Sequence, residues 1–288
     1  MDTYEDPAAA RRRLQRELRR LRTEANLTQR DVAEEMEWSP SKVIRIESGA
    51  VNITTNDLRQ LLASYHISDQ AQIEDLLATN RESRKQSWSD FKDVLEPLAR
   101  TLWGYEASAV ILRQFEYTFV PGLLQTEEYT RALLRGINLP RISDERIGRL
   151  IEARSARQTL LERTRLPQLF FIVDEAVLRR EVGSKGVMRR QIDRIEELGT
   201  RDQISIQVVP MSAGAYPGQL GPFTLFEFKD EDTALFQESR VESLTRDDPD
   251  LIGQFLDVFQ EMEKRLASKP GELNEVLQKI KHDIGGDA

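Results

Sequence analysis

There is no cysteine among the 288 residues. That excludes disulfides, thiolate metal sites and a cysteine nucleophile, and it suits a reducing cytoplasm. Histidine is nearly as scarce: His66 and His282 are the only two, far apart in the chain. A histidine zinc site or a serine–histidine–aspartate triad therefore has little to draw on. Nowhere do 18 apolar residues run together, so no membrane span is expected. The opening MDTYEDPAAARRR places acids ahead of any apolar stretch, which argues against a signal peptide. The glycines of GAYPGQLGPF (214–223) are not followed by GK[ST] and do not fall in GxGxxG order before a helix. They suggest a surface loop ahead of a strand, with the gating of a pocket as the alternative. No catalytic residue, metal site or cofactor is expected.

A surplus of positive charge is also missing. Net charge is −8, but residues 1–86 carry only −1 and the remaining 202 carry −7. Within the first segment Arg11 to Arg22 holds seven arginines and one glutamate. Overall acidity thus leaves room for a polyanionic partner, provided that the contact is local. The arginine cluster is equally compatible with a solvated helix face.

What is present is a run of short helix signals. Leu14, Leu18, Leu21 and Ala25 have helical spacing behind Pro7, and Asn26 interrupts them. Thr28 caps a second helix, with Asp31 three residues on and Val32, Ala33 and Met36 as its apolar stripe. Ser39 caps a third, with Pro40 first, Val43 and Ile46 inward and Gly49 at its end. A fourth follows Thr54 or Thr55, and a fifth runs from Asp69 to about Gln86. This predicts a five-helix domain over 1–86 and a boundary in the polar stretch 80–90.

Beyond it, a helix is expected over about 89–105, a strand over 109–120, and helices over 126–134 and 143–164. QLFFIVD (168–174) and QISIQVVP (203–210) suggest strands, with helices at 175–181 and 186–199 between them. FTLFEFKDEDTALFQES (223–239) suggests a hairpin, and a helix over 249–266 precedes a polar tail. The fold class is accordingly α + α/β: an all-helical domain, a mixed α/β domain over 87–270, and a tail over 271–288.

The segment 39–48 is the best candidate for function. Val43 and Ile46 account for its inner face, so Ser41, Lys42, Ile44 and Arg45 face outward. A major groove admits one α-helix and is read from its first turns. Lys42 can donate to guanine acceptors, Ser41 can pair with several bases, Ile44 can touch a thymine methyl, and Arg45 is placed for a phosphate. Gln29 can hold a phosphate with its amide and nearby backbone N–H groups. Thr28, Arg30, Ser39 and Asn52 complete the expected DNA-facing set. In the second domain Tyr105, Phe119, Gln125, Tyr129 and Tyr216 are candidates for lining a ligand or partner pocket; a plain core role is the competing reading.

LRTEANLTQRDVAEEMEWSPSKVIRIESG resembles the Xre/Cro/C1-repressor type of helix-turn-helix, a lambda-repressor-like domain, through Gln29, the small Ala33 and SxSxVxRIExG. The resemblance covers about residues 10–80. It implies a phosphate clamp at Gln29, a structural ion pair between Arg22 and Glu47, and base-facing positions at Pro40, Ser41 and Lys42. Pro40 departs from the glutamine common there, which removes a polar base reader. FEYTFVPGLLQTEEYTRALL, IQVVP, GPFTLFEF and ALFQES resemble the regulatory domain of WhiJ-like and Scr1-type antitoxin-like regulators of actinobacteria, over about 90–270. That implies a transcription regulator paired with a small protein encoded beside it. The resulting expectation is a cytoplasmic, nucleoid-associated, homodimeric regulator that binds double-stranded DNA and is not an enzyme. An antitoxin-like adaptor that sequesters a small partner and autoregulates its promoter is the alternative.

Overall fold

The computed structural model describes residues 6–48, 51–85, 88–137, 142–229, 233–237, 244–246 and 248–285. They fall into two compact units, Met1–Lys92 with Glu96–Ser108, and Asp93–Leu95 with Ala109–Ala288. The first is helical. The second is a mixed sheet with helices.

In the first unit α1 (Pro7–Glu24), α2 (Gln29–Glu35), α3 (Pro40–Glu47), α4 (Thr55–Ser64) and α5 (Gln70–Ser83) each start at a side-chain cap, from Asp6, Thr28, Ser39, Thr54 and Asp69 respectively. Each cap satisfies a backbone N–H that the helix leaves unpaired, a contribution of about 1 kcal/mol. Leu18, Val32, Ala33, Val43, Ile46, Leu58, Leu61 and Leu77 meet in one core. Gly49 lies outside the described residues.

Three helix ends share a device that does not use glycine. Asn26, Glu37 and His66 sit at φ of 59°, 53° and 60°. After each of them the chain folds back, with Leu27 N donating to Arg22 O (3.1 Å), Trp38 N to Ala33 O (2.8 Å) and Ile67 N to Leu62 O (3.0 Å). The apolar residue that follows the turn, Leu27, Trp38 or Ile67, packs on the core.

The sixth helix corrects the expected boundary. The helix foreseen over 89–105 is a single 3-10 turn, Ser89–Phe91, followed by α6 (Pro97–Ser108). Pro97 disfavours helical backbone in the residue before it and so fixes the start. α6 belongs to the first unit: its Gly104 lies against Asp6 and Ala8, where a Cβ would clash, and Asp6 N donates to Ser108 Oγ at 2.7 Å. This unit therefore extends past residue 86 and holds α6 in addition to the five expected helices.

Among the described residues, the second unit is built on six strands in the order β3-β2-β1-β4-β5-β6. β1 (Ile111–Glu116), β2 (Gln168–Asp174) and β3 (Ile204–Val209) are parallel. α7 (Glu127–Ile137) and α8 (Asp144–Gln158) connect the first two; α9 (Glu175–Arg179) and α10 (Lys185–Leu198) connect the next two. β4 (Phe223–Glu227), β5 (Thr233–Gln237) and β6 (Leu244–Arg246) continue antiparallel from the other edge of β1. β4 and β5 form the expected hairpin; residues 230–232 and 238–239 of that stretch lie outside the described residues.

Phe115, Ile172, Leu225 and Leu235 form a core with Phe259 of α11 (Pro249–Glu261) on one face. Leu112, Leu169, Phe171 and Phe226 are buried on the other, which explains the near-continuous apolar reading of β2. β1 stops at Glu116, short of the expected 120, where its pairing with β2 ends. α8 likewise ends at Gln158, and a 3-10 turn, Thr159–Glu162, takes over. In the loop 214–223, Gly218 lies so close to Phe115 and Met262 that a Cβ would overlap both. That anchors the loop over the core.

The expected polar tail over 271–288 is instead largely α12 (Leu273–Ile284). Leu273, Leu277 and Ile280 are buried at helical spacing between charged residues. Lys281 reaches Asp193 (2.5 Å) and Glu196 (3.1 Å) of α10.

Glu37 carries a Cβ in a left-handed conformation that costs a non-glycine residue roughly 1–2 kcal/mol, partly offset in glycine by its larger unfolded-state entropy. Glu37→Gly should therefore raise stability by about 0.5–1 kcal/mol. All three tryptophans lie in the first unit, so urea unfolding followed by tryptophan fluorescence reads this directly.

Candidate nucleic-acid interface

The arrangement of α1, α2 and α3 centres on Glu47, at the end of α3. Its side chain is only 3% exposed. Arg22 of α1 donates from Nε to Oε1 at 2.7 Å and from Nη2 to Oε2 at 3.2 Å. Arg22 Nη1 donates to Leu27 O at 2.8 Å. Gln29, first residue of α2, donates from Nε2 to Glu47 Oε2 at 2.8 Å. One carboxylate thus holds one residue from each of two other helices. The Arg22 guanidinium is held further above its usual range by hydrogen bonding to Glu47. Tyr65 shifts upward as well, chiefly through burial and then through the Glu47 charge.

The helix pair ahead of this brace is fixed locally. Asp31 N donates to Thr28 Oγ1 at 3.2 Å and Thr28 N donates to Asp31 Oδ2 at 2.8 Å, a reciprocal capping box. Those bonds lower the Asp31 carboxyl pKa, the backbone bond from Thr28 most. Lys42 N donates to Ser39 Oγ at 3.2 Å, and Pro40 occupies the first helical position, where no N–H is needed.

On the outer side of α3, Pro40, Ser41, Ile44, Arg45 and Ser48 are exposed, Ile44 to 48%. α3 has eight residues, and an α-helix with its side chains is about 10–12 Å across, which a major groove about 12 Å wide admits. Thr28, Arg30, Ser39 and Asn52 are also exposed; Arg30 pairs with Glu34 at 3.2 Å. Lys42 departs from the expectation of a freely extended donor. Its Nζ lies 3.6 Å from the centroid of the Trp38 ring and 3.3 Å from Asp57 Oδ2. Gln29 departs in a similar way, since one amide hydrogen is committed to Glu47. Trp38 and Asp57 were not singled out from the sequence; the position of Asp57 three residues after the Thr54 cap was the available signal.

The arginines of α1 are drawn into the fold. Arg11 Nη2 donates to Ser83 O at 2.9 Å. Arg13 donates to Thr79 Oγ1 at 2.6 Å and pairs with Asp75 at 3.3 Å. Arg12 is 7% exposed. Arg20 bonds Glu17 and Glu24. Arg11 and Arg13 therefore tie α1 to α5.

The five aromatic and amide residues expected at a pocket divide between the two units. Tyr105 is in the first unit and the other four are in the second. Gln125 and Tyr129 are buried and bonded: Gln125 Nε2 donates to Val120 O (2.7 Å), its Oε1 accepts from Thr130 Oγ1 and Arg154 Nη1 (both 2.9 Å), and Tyr129 Oη accepts from Val120 N (3.2 Å). Burial raises the Tyr129 pKa. Phe119 is half-buried. Tyr216 donates to Asp174 and packs edge-on against Phe115, with ring centroids 6.0 Å apart.

Two more glutamines, not foreseen, complete the support of the turn at 120–126. Gln158 Nε2 donates to Gly122 O (3.0 Å) and Gln125 O (2.7 Å). Gln191 donates to Leu124 O (2.8 Å) and accepts from Thr126 N (2.7 Å). The PGLLQTEEY signature is thus a backbone held by side-chain amides.

Two known families match different parts of the chain. A domain of unknown function, DUF5753, matches residues 99–279. The chain belongs to the DUF5753 family. A helix-turn-helix domain matches residues 13–76, from within α1 to within α5, and supports a DNA-binding regulator. No curated protein and no solved structure matches the chain. No helix among the described residues is long and apolar enough to cross a membrane.

Removing the Glu47 carboxylate strands Arg22 and Gln29 together. Glu47→Ala should lower stability of the first unit by about 3 kcal/mol, with Glu47→Gln closer to wild type; the fluorescence midpoint in urea measures both. In the second unit, Gln191→Leu leaves Thr126 N and Leu124 O without partners, a loss of about 1–3 kcal/mol for each buried group. Hydrogen exchange at residues 120–137 should accelerate at least tenfold while residues 7–83 are unchanged.

Proposed function

We propose that this protein is a sequence-specific DNA-binding transcriptional regulator of the Xre/Cro/C1 type, with a lambda-repressor-like first domain that inserts α3 into the major groove. The observation that carries this reading is the outer face of α3: Ser41, Ile44 and Arg45 exposed around Lys42, on a helix clamped from behind by Glu47. Ser41 and Lys42 would meet base edges, Ile44 a thymine methyl, and Arg45 a phosphate. Gln29, oriented by Glu47, would give its remaining amide hydrogen to a phosphate, with Thr28, Arg30, Ser39 and Asn52 flanking it. Pro40 contributes only apolar contact.

The protein acts in the cytoplasm as a homodimer that reads two half-sites about one helical turn apart. The second domain is a regulatory module of the actinobacterial WhiJ-like and Scr1 kind, which receives a small partner protein or effector rather than carrying out catalysis.

The test is equilibrium binding to a duplex selected by the protein from a random pool, across a range of salt. Arg45→Ala should weaken all sequences alike and reduce the salt slope by about one. Lys42→Ala should relax base preference at one position. Unchanged binding in both variants would refute the placement of α3.

A further inference from the structure

One cation of α3, Lys42, is held by two neighbours. The Lys42 ammonium lies 3.6 Å from the Trp38 ring centroid and 3.3 Å from Asp57 Oδ2. Both neighbours are themselves pinned. Trp38 follows the left-handed Glu37, donates its N–H to Ala33 O at 2.8 Å, and packs on the helical core. Asp57 sits in the first turn of α4, its backbone N donating to Thr54 Oγ1 at 3.0 Å. The Lys42 side chain retains 38% of its exposure and that of Asp57 26%, so the ammonium is restrained without being covered. An ammonium has three donors, and Asp57 takes one of them.

A lysine ordinarily gains non-specific affinity by swinging on a flexible stem toward whichever phosphate is near. Here the stem is fixed and a carboxylate stands 3.3 Å from the charge. That carboxylate offsets the attraction of Lys42 for phosphates and repels them itself. It leaves the remaining hydrogens free for an acceptor presented at one place. The side chain already has these two partners before DNA arrives, which reduces the entropy lost on a base contact.

We propose that Asp57 is a positioning residue for base recognition: with Trp38 it fixes the Lys42 ammonium for one base-edge contact and discourages loose phosphate contacts, so it sets specificity rather than affinity. This rests on the regulator reading above.

The full-length protein is measured against two probes across salt, the duplex it selects from a random pool and a scrambled duplex of equal composition. Asp57→Asn preserves the side-chain size and the Thr54 cap. It should tighten binding to the scrambled duplex by roughly tenfold, steepen its salt slope by about one, and lower the selected-to-scrambled ratio by about five- to tenfold. In a Lys42→Ala background the same substitution should leave that ratio unchanged, which a merely structural role of Asp57 would not produce. Trp38→Leu, which removes the aromatic face but not the carboxylate, should lower the ratio in the same direction. An unchanged ratio in Asp57→Asn overturns the inference and leaves the regulator reading intact, as does a drop of equal size with and without Lys42. Failure of the wild type to select any duplex overturns both.

Discussion

A single buried carboxylate, that of Glu47, governs how the first domain presents its outer surface. Its two oxygens take hydrogen bonds from Arg22 and Gln29, residues on the two helices that precede α3. A charge taken out of water is tolerated only when it is paired and its other lone pairs are filled. Both conditions are met here by residues from different elements. The result is specification of geometry: α3 is fixed at its C-terminal end, Val43 and Ile46 are fixed inward, and its first turns are left outside. Leu27, Trp38 and Ile67, each following a left-handed residue, pin the chain on the same core.

The second domain relies on a related device built mainly on side-chain amides. The turn at 120–126 carries backbone groups that no strand or helix satisfies, and Gln125, Gln158 and Gln191 supply the partners. A buried loop is costly unless its polar groups are paired, and amide side chains carry a donor and an acceptor each. The conspicuous PGLLQTEEY segment therefore owes its character to the support of its own backbone. The aromatic residues near it serve packing: Tyr129 closes the turn, and Tyr216 belongs to the core beneath α11.

Much of the first domain was legible in the sequence because its determinants are local. Thr28, Ser39, Thr54 and Asp69 act within three residues, and the inward positions of α3 follow from helical spacing. Features set by distant partners were not legible. Ile111 pairs with Gln168 on one side and Glu227 on the other, a register that no periodicity encodes. α6 joins the first domain through Asp6, about a hundred positions earlier, and α12 was hidden because Leu273, Leu277 and Ile280 are spaced among charges. The same limit applied to the candidate interface. The outward face of α3 could be read, but the fixing of Lys42 by Asp57 and the use of Arg11 and Arg13 against α5 depend on contacts made only after folding.

The central claim is that the exposed face of α3 is where this protein meets duplex DNA. Hydrogen-exchange mass spectrometry of the full chain, with and without a duplex selected from a random pool, tests it most directly. The account predicts new protection concentrated in residues 39–48 and around Gln29, with the strands of the second domain unchanged. Protection that spares residues 39–48 and appears elsewhere would contradict it.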